Sequence, residues 1–137
     1  MAKPSQTTTY TATIYYSKNG FVCSNRASVT VTVITSCDNS LIYVPNTFTP
    51  NNDGTNDVFR IRGQGISKVN YFRVYDRWGK LVYEARDAES ADDAEWNGGL
   101  KNDRARPENS GVFVYSFEIQ CITGQTINGK GNVTLIR

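Results

Sequence analysis

The sequence predicts an all-β protein, an immunoglobulin-like β-sandwich of about seven short strands. Apolar and polar residues alternate along most of the patterned segments, as in Ala27 to Ile34, where Val29, Val31 and Val33 share one face. This period of two is that of half-buried strands. No segment of ten or more residues carries a helical stripe of apolar residues. Many short strands separated by turns are typical of a sandwich.

The first two predicted strands, Thr9 to Tyr16 and Ala27 to Ile34, are joined by a turn around Gly20. Two strands alone are only marginally stable. Residues 1–36 are therefore expected to be the closing strands of a larger sandwich repeat. The alternative is that they add to the sheet of the main domain. A polar linker at 37–41 separates them from that domain, which is expected to span 42–137.

The main domain contains the remaining predicted strands: Leu41 to Val44, Val58 to Arg62, Val69 to Tyr75, Lys80 to Glu84, Val112 to Gln120 and Asn132 to Ile136. Two of these flank Asp76 to Gly79 as a β-hairpin, whose four-residue connection requires a positive φ at Gly79. Residues 86–111 show no periodicity and are predicted to form a long loop.

Composition excludes several functions. The formal net charge is +2 without a basic stripe, which argues against nucleic-acid binding. No apolar run approaches the roughly 20 residues that cross a bilayer as a helix. The sequence has no histidine, and this excludes Ser-His-Asp and Cys-His catalysis and histidine-ligated metal sites.

The acidic residues of the long loop are the only candidates for a paired-carboxylate glycosidase centre. These are Asp92, Asp93 and Glu95, and such chemistry needs an acid and a base or nucleophile across a cleft. Nothing in the surrounding sequence supports such a cleft, so a solvated loop is the favoured interpretation. No catalytic residue is predicted, and the protein is not expected to be an enzyme.

The three cysteines are too widely spaced for a CxxC metal or redox motif. We favour a disulfide between Cys37 and Cys121, because each flanks a strand of the main domain. Cys23 is then an orphan. The alternative is three reduced, buried thiols, which behave as small apolar residues.

The stretch from Asn51 to Asp57 places oxygen-bearing side chains at alternate positions. Hard cations such as Ca²⁺ prefer six to eight oxygen ligands in a flexible loop, so Asn51, Asp53 and Asp57 are candidate calcium ligands. The favoured interpretation is a structural turn, in which the Asn and Asp side chains bind their own backbone.

The two tryptophans, Trp78 and Trp96, suggest an aromatic platform for a sugar. More often such residues pack over the ends of a small sandwich core, and we favour core packing here. A carbohydrate- or ligand-binding module of an adhesin is therefore kept as the alternative function.

Five motifs occur in an order that resembles the gliding-motility-associated C-terminal domain family. They are VPNTFTPNNDGTNDVF (44–59), VYDRWGKLVY (74–83), WNG (96–98), PENSGVFVY (107–115) and KGNVTLIR (130–137). Two departures stand out: Asn52 replaces the usual glycine, and extra residues occur near Asn109.

The resemblance implies a non-catalytic sorting domain of a large cell-surface protein, such as an adhesin or an enzyme. Domains of this family are type B secretion signals of the type IX secretion system of Bacteroidetes. The implied partners are the secretion machinery and a porin-like β-barrel, and the implied location is the cell surface, attached to the outer membrane. Residues 1–36 are similar to the end of the Ig- or PKD-like repeats that precede such domains, in which Cys23 would pair within its own repeat.

Two segments are expected to face the partner. One is the hairpin tip, Arg77, Trp78 and Gly79. The other is the last strand, which a partner can bind by β-augmentation: Lys130, Val133, Thr134, Leu135, Ile136 and Arg137. The alternative for Val133 and Leu135 is simple core packing.

Overall fold

The computed structural model describes residues 7–32, 37 and 39–137, and the chain divides into two compact units, Met1–Thr35 and Ser36–Arg137. The strands are β1 (Thr8–Lys18), β2 (Phe21–Val31), β3 (Ile42–Tyr43), β4 (Thr47–Phe48), β5 (Phe59–Arg60), β6 (Arg62–Gly63), β7 (Ile66–Tyr75), β8 (Leu81–Ala88), β9 (Glu95–Trp96), β10 (Gly111–Cys121) and β11 (Thr126–Leu135). Two single-turn 3₁₀ helices, Asn39–Leu41 and Leu100–Asn102, complete the described elements. No helix in these ranges is long and apolar enough to cross a membrane.

The first unit is an antiparallel hairpin of β1 and β2 that forms a sheet of its own. Its turn places Asn19 and Gly20 at φ 52° and 81°. The register puts the even residues of β1 and the odd residues of β2 on one face. That face is largely apolar and includes Tyr10, Ala12, Ile14, Tyr16, Phe21, Cys23, Ala27, Val29 and Val31. Serine, threonine and Arg26 dominate the opposite face.

The second unit contains a five-stranded sheet in the order β4-β11-β10-β7-β8. All neighbours are antiparallel except β4, which runs parallel to β11. Two short antiparallel ladders, β3–β6 and β5–β9, lie outside this sheet. Along β10, alternate side chains are buried, namely Phe113, Tyr115, Phe117, Ile119 and Cys121. This face of the sheet therefore points into the core.

Aromatic rings join the short ladders to the large sheet. Phe59 of β5 lies 5.3 Å from Phe72 and 5.2 Å from Tyr115, measured between ring centroids. Trp96 of β9 lies 4.9 Å from Phe113 in an edge-to-face arrangement, a geometry that aromatic pairs favour. The core thus lies between two layers, and the predicted all-β sandwich is confirmed.

The second layer is less regular than the sequence pattern suggests. The single strand predicted from Val58 to Arg62 is divided into β5 and β6, which pair with different partners, β9 and β3. Ile61 lies between them and is buried. The predicted loop 86–111 begins with the end of β8 and also contains β9 and a 3₁₀ turn. Two-residue ladders are too short to produce a readable alternation, so the sequence reveals the large sheet more clearly than the layer facing it.

The last strand begins at Thr126, earlier than predicted, and includes two glycines that the sequence assigned to a turn. Both glycines are covered by aromatic rings. Gly129 and Gly131 stand opposite Phe117 and Tyr115 in the β10–β11 register. A Cβ atom on Gly131 would lie 2.6 Å from the Tyr115 hydroxyl oxygen, and one on Gly129 would lie 2.6 Å from the Phe117 ring. These glycines mark close packing within a strand, where the sequence suggested a turn.

A disulfide joins Cys37 to Cys121, with an S–S distance of 2.12 Å and a Cα–Cα distance of 5.6 Å. Both cysteines are buried. The bond attaches the start of the second unit to the end of β10. Cys23 is a free, exposed cysteine of the first unit.

Candidate functional site

The Asn51–Asp57 loop is held by hydrogen bonds from its own backbone. The Asp57 carboxylate accepts from the N–H groups of Asn52 (2.7 Å) and Gly54 (2.8 Å). Asp53 Oδ1 accepts from Thr55 N, and Asn51 Oδ1 accepts from Asp53 N. Desolvation raises the pKa of Asp57, but the backbone hydrogen bonds outweigh it, so the pKa lies below its ordinary value of 3.8.

Asn52 occupies the position where the family that the sequence resembles has glycine, and its φ is 69°. Gly54 and Asn56 follow with φ of 84° and 53°. Asparagine adopts this left-handed region more readily than most residues. The replacement of glycine by Asn52 is therefore compatible with the turn.

The oxygen atoms of the three candidate calcium ligands accept hydrogen bonds within the loop. Both oxygens of Asp57, both oxygens of Asp53 and the Asn51 carbonyl oxygen each accept a hydrogen bond from within the loop. Across the ranges given above, no three acidic or cysteine side chains are grouped closely enough to hold a metal ion. These contacts are those of a self-capped turn, and calcium binding by Asn51, Asp53 and Asp57 stays a prediction.

Arg137 joins three separate loops at this end of the sandwich. Its Nε donates to Glu108 O at 2.9 Å, and Nη2 donates to Gly98 O at 2.9 Å. A longer bond of 3.4 Å runs from Nη1 to Pro50 O, and the backbone N–H donates to Ser110 Oγ. The opening motif, the WNG motif and the PENSG motif thus meet at the last residue of KGNVTLIR.

The last strand, β11, has neighbouring strands on both sides in the region where a partner strand is expected to bind. Val133 and Leu135 are buried, in agreement with core packing. Thr134 N donates to Asn46 O and Ile136 N to Phe48 O, so β4 and the residues beside it occupy the outer edge. At this end of β11, the backbone is thus already paired on both sides. The Lys130 and Ile136 side chains remain exposed.

The hairpin tip is a rigid turn that presents an indole to solvent. Asp76 Oδ1 accepts from Trp78 N (2.8 Å) and Lys80 N (2.9 Å), while Asp76 O accepts from Gly79 N (3.0 Å). Gly79 has a φ of 80°, as the hairpin prediction requires. The Trp78 side chain is 83% exposed, and the Arg77 guanidinium carbon lies 5.7 Å from the centre of its ring.

Trp96 has the opposite environment. It is fully buried, and its Nε1 donates to Gly99 O at 2.8 Å. Trp96 therefore packs in the core as the sequence favoured, whereas Trp78 does not. The two tryptophans cannot form one sugar-binding platform, because only one of them reaches solvent.

Apolar side chains continue the surface of the tip onto the outer face of the sheet. Val112 and the Trp78 tip line the same shallow pocket. Val114 stands opposite Tyr75 on β7, and Tyr75 stands opposite Leu81 on β8. The exposed members of this surface are Trp78, Leu81, Val112, Val114 and Ile136. The spacing of the motifs does not identify Val112 and Val114 as surface residues. The alternation along β10 could have identified them, because it places valine at two solvent-facing positions.

The acidic residues of the loop form ion pairs and hydrogen bonds with residues close to them. Arg60 forms an ion pair with Asp92 and lies 3.9 Å from Glu95. Asp93 accepts a hydrogen bond from Ser90 Oγ. Asp92 and Asp93 are both exposed, and their contacts are those of a loop that fixes its own path.

Comparison with protein families identifies a match over most of the second unit. The model of the CHU_C type IX secretion signal domain matches residues 42–135. This range contains four of the five motifs and all but the last two residues of the fifth. No curated protein sequence matches the chain.

Proposed function

The chain belongs to the family of CHU_C type IX secretion signal domains, and we propose that its second unit is recognised as a folded surface during export. The family assigns a sorting function and contact with the secretion machinery. In such a function the fold presents a surface and performs no chemistry. The remaining question is which surface a partner contacts.

The exposure of Trp78 is the observation that carries this proposal. A tryptophan that is 83% exposed on a turn fixed by three hydrogen bonds does not stabilise the domain core. Tryptophan is enriched among the residues that dominate protein–protein binding. Arg77 beside it and the exposed Val112, Leu81 and Ile136 enlarge the same surface. We therefore assign the tip, Arg77 to Gly79, to partner recognition.

The proposed partner is a porin-like β-barrel of the outer membrane, which would also hold the exported protein at the cell surface. The motif order that resembles type B signals supports this partner. Lys130 and Ile136 contribute exposed side chains of the last strand to recognition. Thr134 is half-buried, whereas Val133 and Leu135 support the strand from inside the core.

The test is export of a periplasmic reporter fused to the full 137-residue chain in a bacterium with a type IX system. Trp78→Ala is expected to lower secretion at least tenfold, because a central tryptophan can contribute about 2 kcal/mol or more to binding. Tyr43→Ala, which removes another aromatic side chain of the second unit that is 61% exposed, is the matched control. Secretion of the Trp78→Ala fusion at the wild-type level would contradict the role of the tip. If the wild-type fusion is not secreted, the sorting function itself is contradicted.

We also propose that residues 1–36 are the closing strands of an Ig- or PKD-like repeat. The apolar face of the β1–β2 hairpin supports this, with Ile14 at 71% and Phe21 at 78% exposure. A two-stranded ribbon needs a further layer for stability. Adding the preceding sequence of the parent protein should protect the β1 and β2 amides from hydrogen exchange. Equally fast exchange in the longer chain would count against a shared repeat.

A further inference from the structure

An unpaired strand edge borders a groove on the second unit. β8 is the end strand of the sheet order, and β7 is its only partner among the described strands. A groove of about 740 Å³ runs beside it. Tyr83 and Ala85 of β8 line it together with Lys101 and Asn102 of the second 3₁₀ helix.

The hairpin register indicates which backbone groups of β8 face away from β7. Asp76 N donates to Lys80 O across the hairpin. Alternate residues of an antiparallel strand bond to the same neighbour, so Val74 also faces β8. The ladder shifts register between Val74 and Tyr75, where Val82 is the additional residue on β8, and Tyr83, the register partner of Val74, faces back to β7. The N–H and C=O groups of Glu84, the next residue along β8, therefore point away from the sheet.

The same alternation applies to Arg86, two residues further along β8. The next inward pair is Ala85 with Phe72, which leaves the Arg86 N–H and C=O pointing outward. No hydrogen bond to the backbone of either Glu84 or Arg86 from outside the β7–β8 ladder is found in the described part of the chain. The edge therefore offers the unpaired donors and acceptors that a further strand would bond.

The 3₁₀ turn that lines the groove beside β8 has an uncommon backbone conformation. Lys101 and Asn102 are successive non-glycine residues with φ of 55° and 61°. The Asn102 side chain accepts from Asn97 N and donates to Glu95 O, both at 2.8 Å. Backbone conformations of this kind persist only where surrounding contacts fix them, and they are frequent at binding sites. Asn97 of the WNG motif thus positions Lys101, whose exposed ammonium group forms no ion pair with any described residue.

The charged side chains of β8 are neutralised by partners on the face of the sheet. Glu84 bonds to both Arg73 (2.6 Å) and Arg86 (2.8 Å). Asp87 bonds to Lys68 at 2.7 Å. Exposed edges are normally protected from pairing by charged side chains, especially lysine. The charges of β8 are engaged in these ion pairs, whereas the part of β11 that β4 does not cover carries Lys130, with Asn128 and Asn132 two residues away on either side.

We propose that β8 binds an extended segment of the partner protein as a sixth strand of the sheet. The segment pairs with the outward backbone groups of Glu84 and Arg86 and places an acidic side chain opposite Lys101. Binding through main-chain hydrogen bonds with alternate side-chain contacts is an established mode of peptide recognition. This inference rests on the proposed function, because the segment belongs to the protein that recognises the exported domain.

The test compares proline with alanine at two edges in the same secretion reporter. Arg86→Pro removes one outward N–H, while Arg86→Ala removes the side chain and keeps that donor. Proline is tolerated in an edge strand where its nitrogen faces outward. We expect Arg86→Pro to lower secretion at least tenfold relative to Arg86→Ala. At the part of the β11 edge that β4 does not cover, Asn128→Pro should secrete like Asn128→Ala.

Equal secretion of the two Arg86 variants overturns the strand-pairing proposal while leaving the sorting function intact. Loss of secretion in Asn128→Pro alone places the contact at β11 and also overturns it. If the wild-type fusion is not exported, the proposed function fails first.

A second measurement covers the case in which Arg86→Pro does not fold. The photo-crosslinking residue p-benzoylphenylalanine replaces Arg86 or Asn128 in the folded 137-residue chain, and the products are mapped by mass spectrometry. Crosslinks from position 86 to a contiguous segment of a secretion-machinery protein are expected. Crosslinks joining two copies of this chain, or crosslinks from position 128 alone, would overturn the proposal.

Discussion

Single aspartates determine the backbone path of the two turns that carry family motifs. Asp57 receives two N–H groups of the opening loop, and Asp76 receives two at the hairpin tip. In each turn, one carboxylate replaces the solvent that the N–H groups would otherwise bond. The Asn/Asp/Gly composition therefore encodes turn geometry, and the resemblance to a calcium loop follows from the same residue types.

Asp57 should make the domain more sensitive to acid. Its pKa in the folded protein lies below 3.8 because the loop N–H groups stabilise the charged form against the opposing effect of desolvation. In the unfolded chain, the pKa returns to about 3.8. The unfolded state then binds more protons as the pH falls, so the stabilisation is fully present above about pH 4 and decreases as pH falls through the lower folded pKa. Asp57→Asn is expected to reduce the slope of unfolding free energy against pH below about pH 4. An unchanged slope in urea titrations would contradict this role.

Gly131 should tolerate no side chain. Its missing Cβ leaves the space that the Tyr115 ring occupies, with the hydroxyl oxygen 2.6 Å from the site of such an atom. Overpacking of this kind costs about 1–3 kcal/mol. Gly131→Ala is therefore expected to lower the free energy of unfolding by about that amount in urea titration. Asn132→Ala, at an exposed neighbouring position, should change it by less than about 0.5 kcal/mol. Equal stability of the two variants would show that Tyr115 moves aside without cost.

At the scale of elements, the sequence predicts the large sheet well because its strands are long enough to show alternation. β7, β8 and β10 appear close to their expected ranges, and the hairpin between β7 and β8 has the expected glycine geometry. The start of β11 was missed, since Gly129 and Gly131 suggest a turn when the rings above them are unknown. Those contacts lie across strands, where local sequence gives no information.

The candidate site could be predicted only in part. The tip residues Arg77 to Gly79 occupy an exposed turn, as a recognition segment requires. The last residues of the chain have another environment, because Arg137 binds carbonyl groups of three loops and β4 covers the outer edge beside Thr134. Parallel pairing of a two-residue strand depends on the folded arrangement of the chain. No sequence pattern predicts this pairing or the position of Lys101 beside the groove.

At the scale of the whole molecule, folding brings together motifs that are far apart in the sequence. Pro50, Gly98 and Glu108 are far apart along the chain, yet their carbonyl groups all accept from the Arg137 side chain. The tip with Trp78 and the β8 edge belong to the same hairpin. One hairpin therefore supplies both proposed contacts with the partner, through an indole at its turn and backbone groups along its outer strand.

The disulfide should be the largest single contribution to the stability of the second unit. Cys37 and Cys121 are 84 residues apart in sequence, and closing a loop of this length restricts the unfolded chain by about 4–5 kcal/mol in the chain-entropy estimate. The double variant Cys37→Ala/Cys121→Ala is expected to lose several kcal/mol in urea unfolding. Reducing the wild-type chain should produce a similar loss, which separates the bond from the two buried side chains. Cys23→Ala removes the exposed thiol and should leave the stability of the second unit within about 0.5 kcal/mol. A loss below about 1 kcal/mol on reduction would mean that the sandwich core alone holds the second unit.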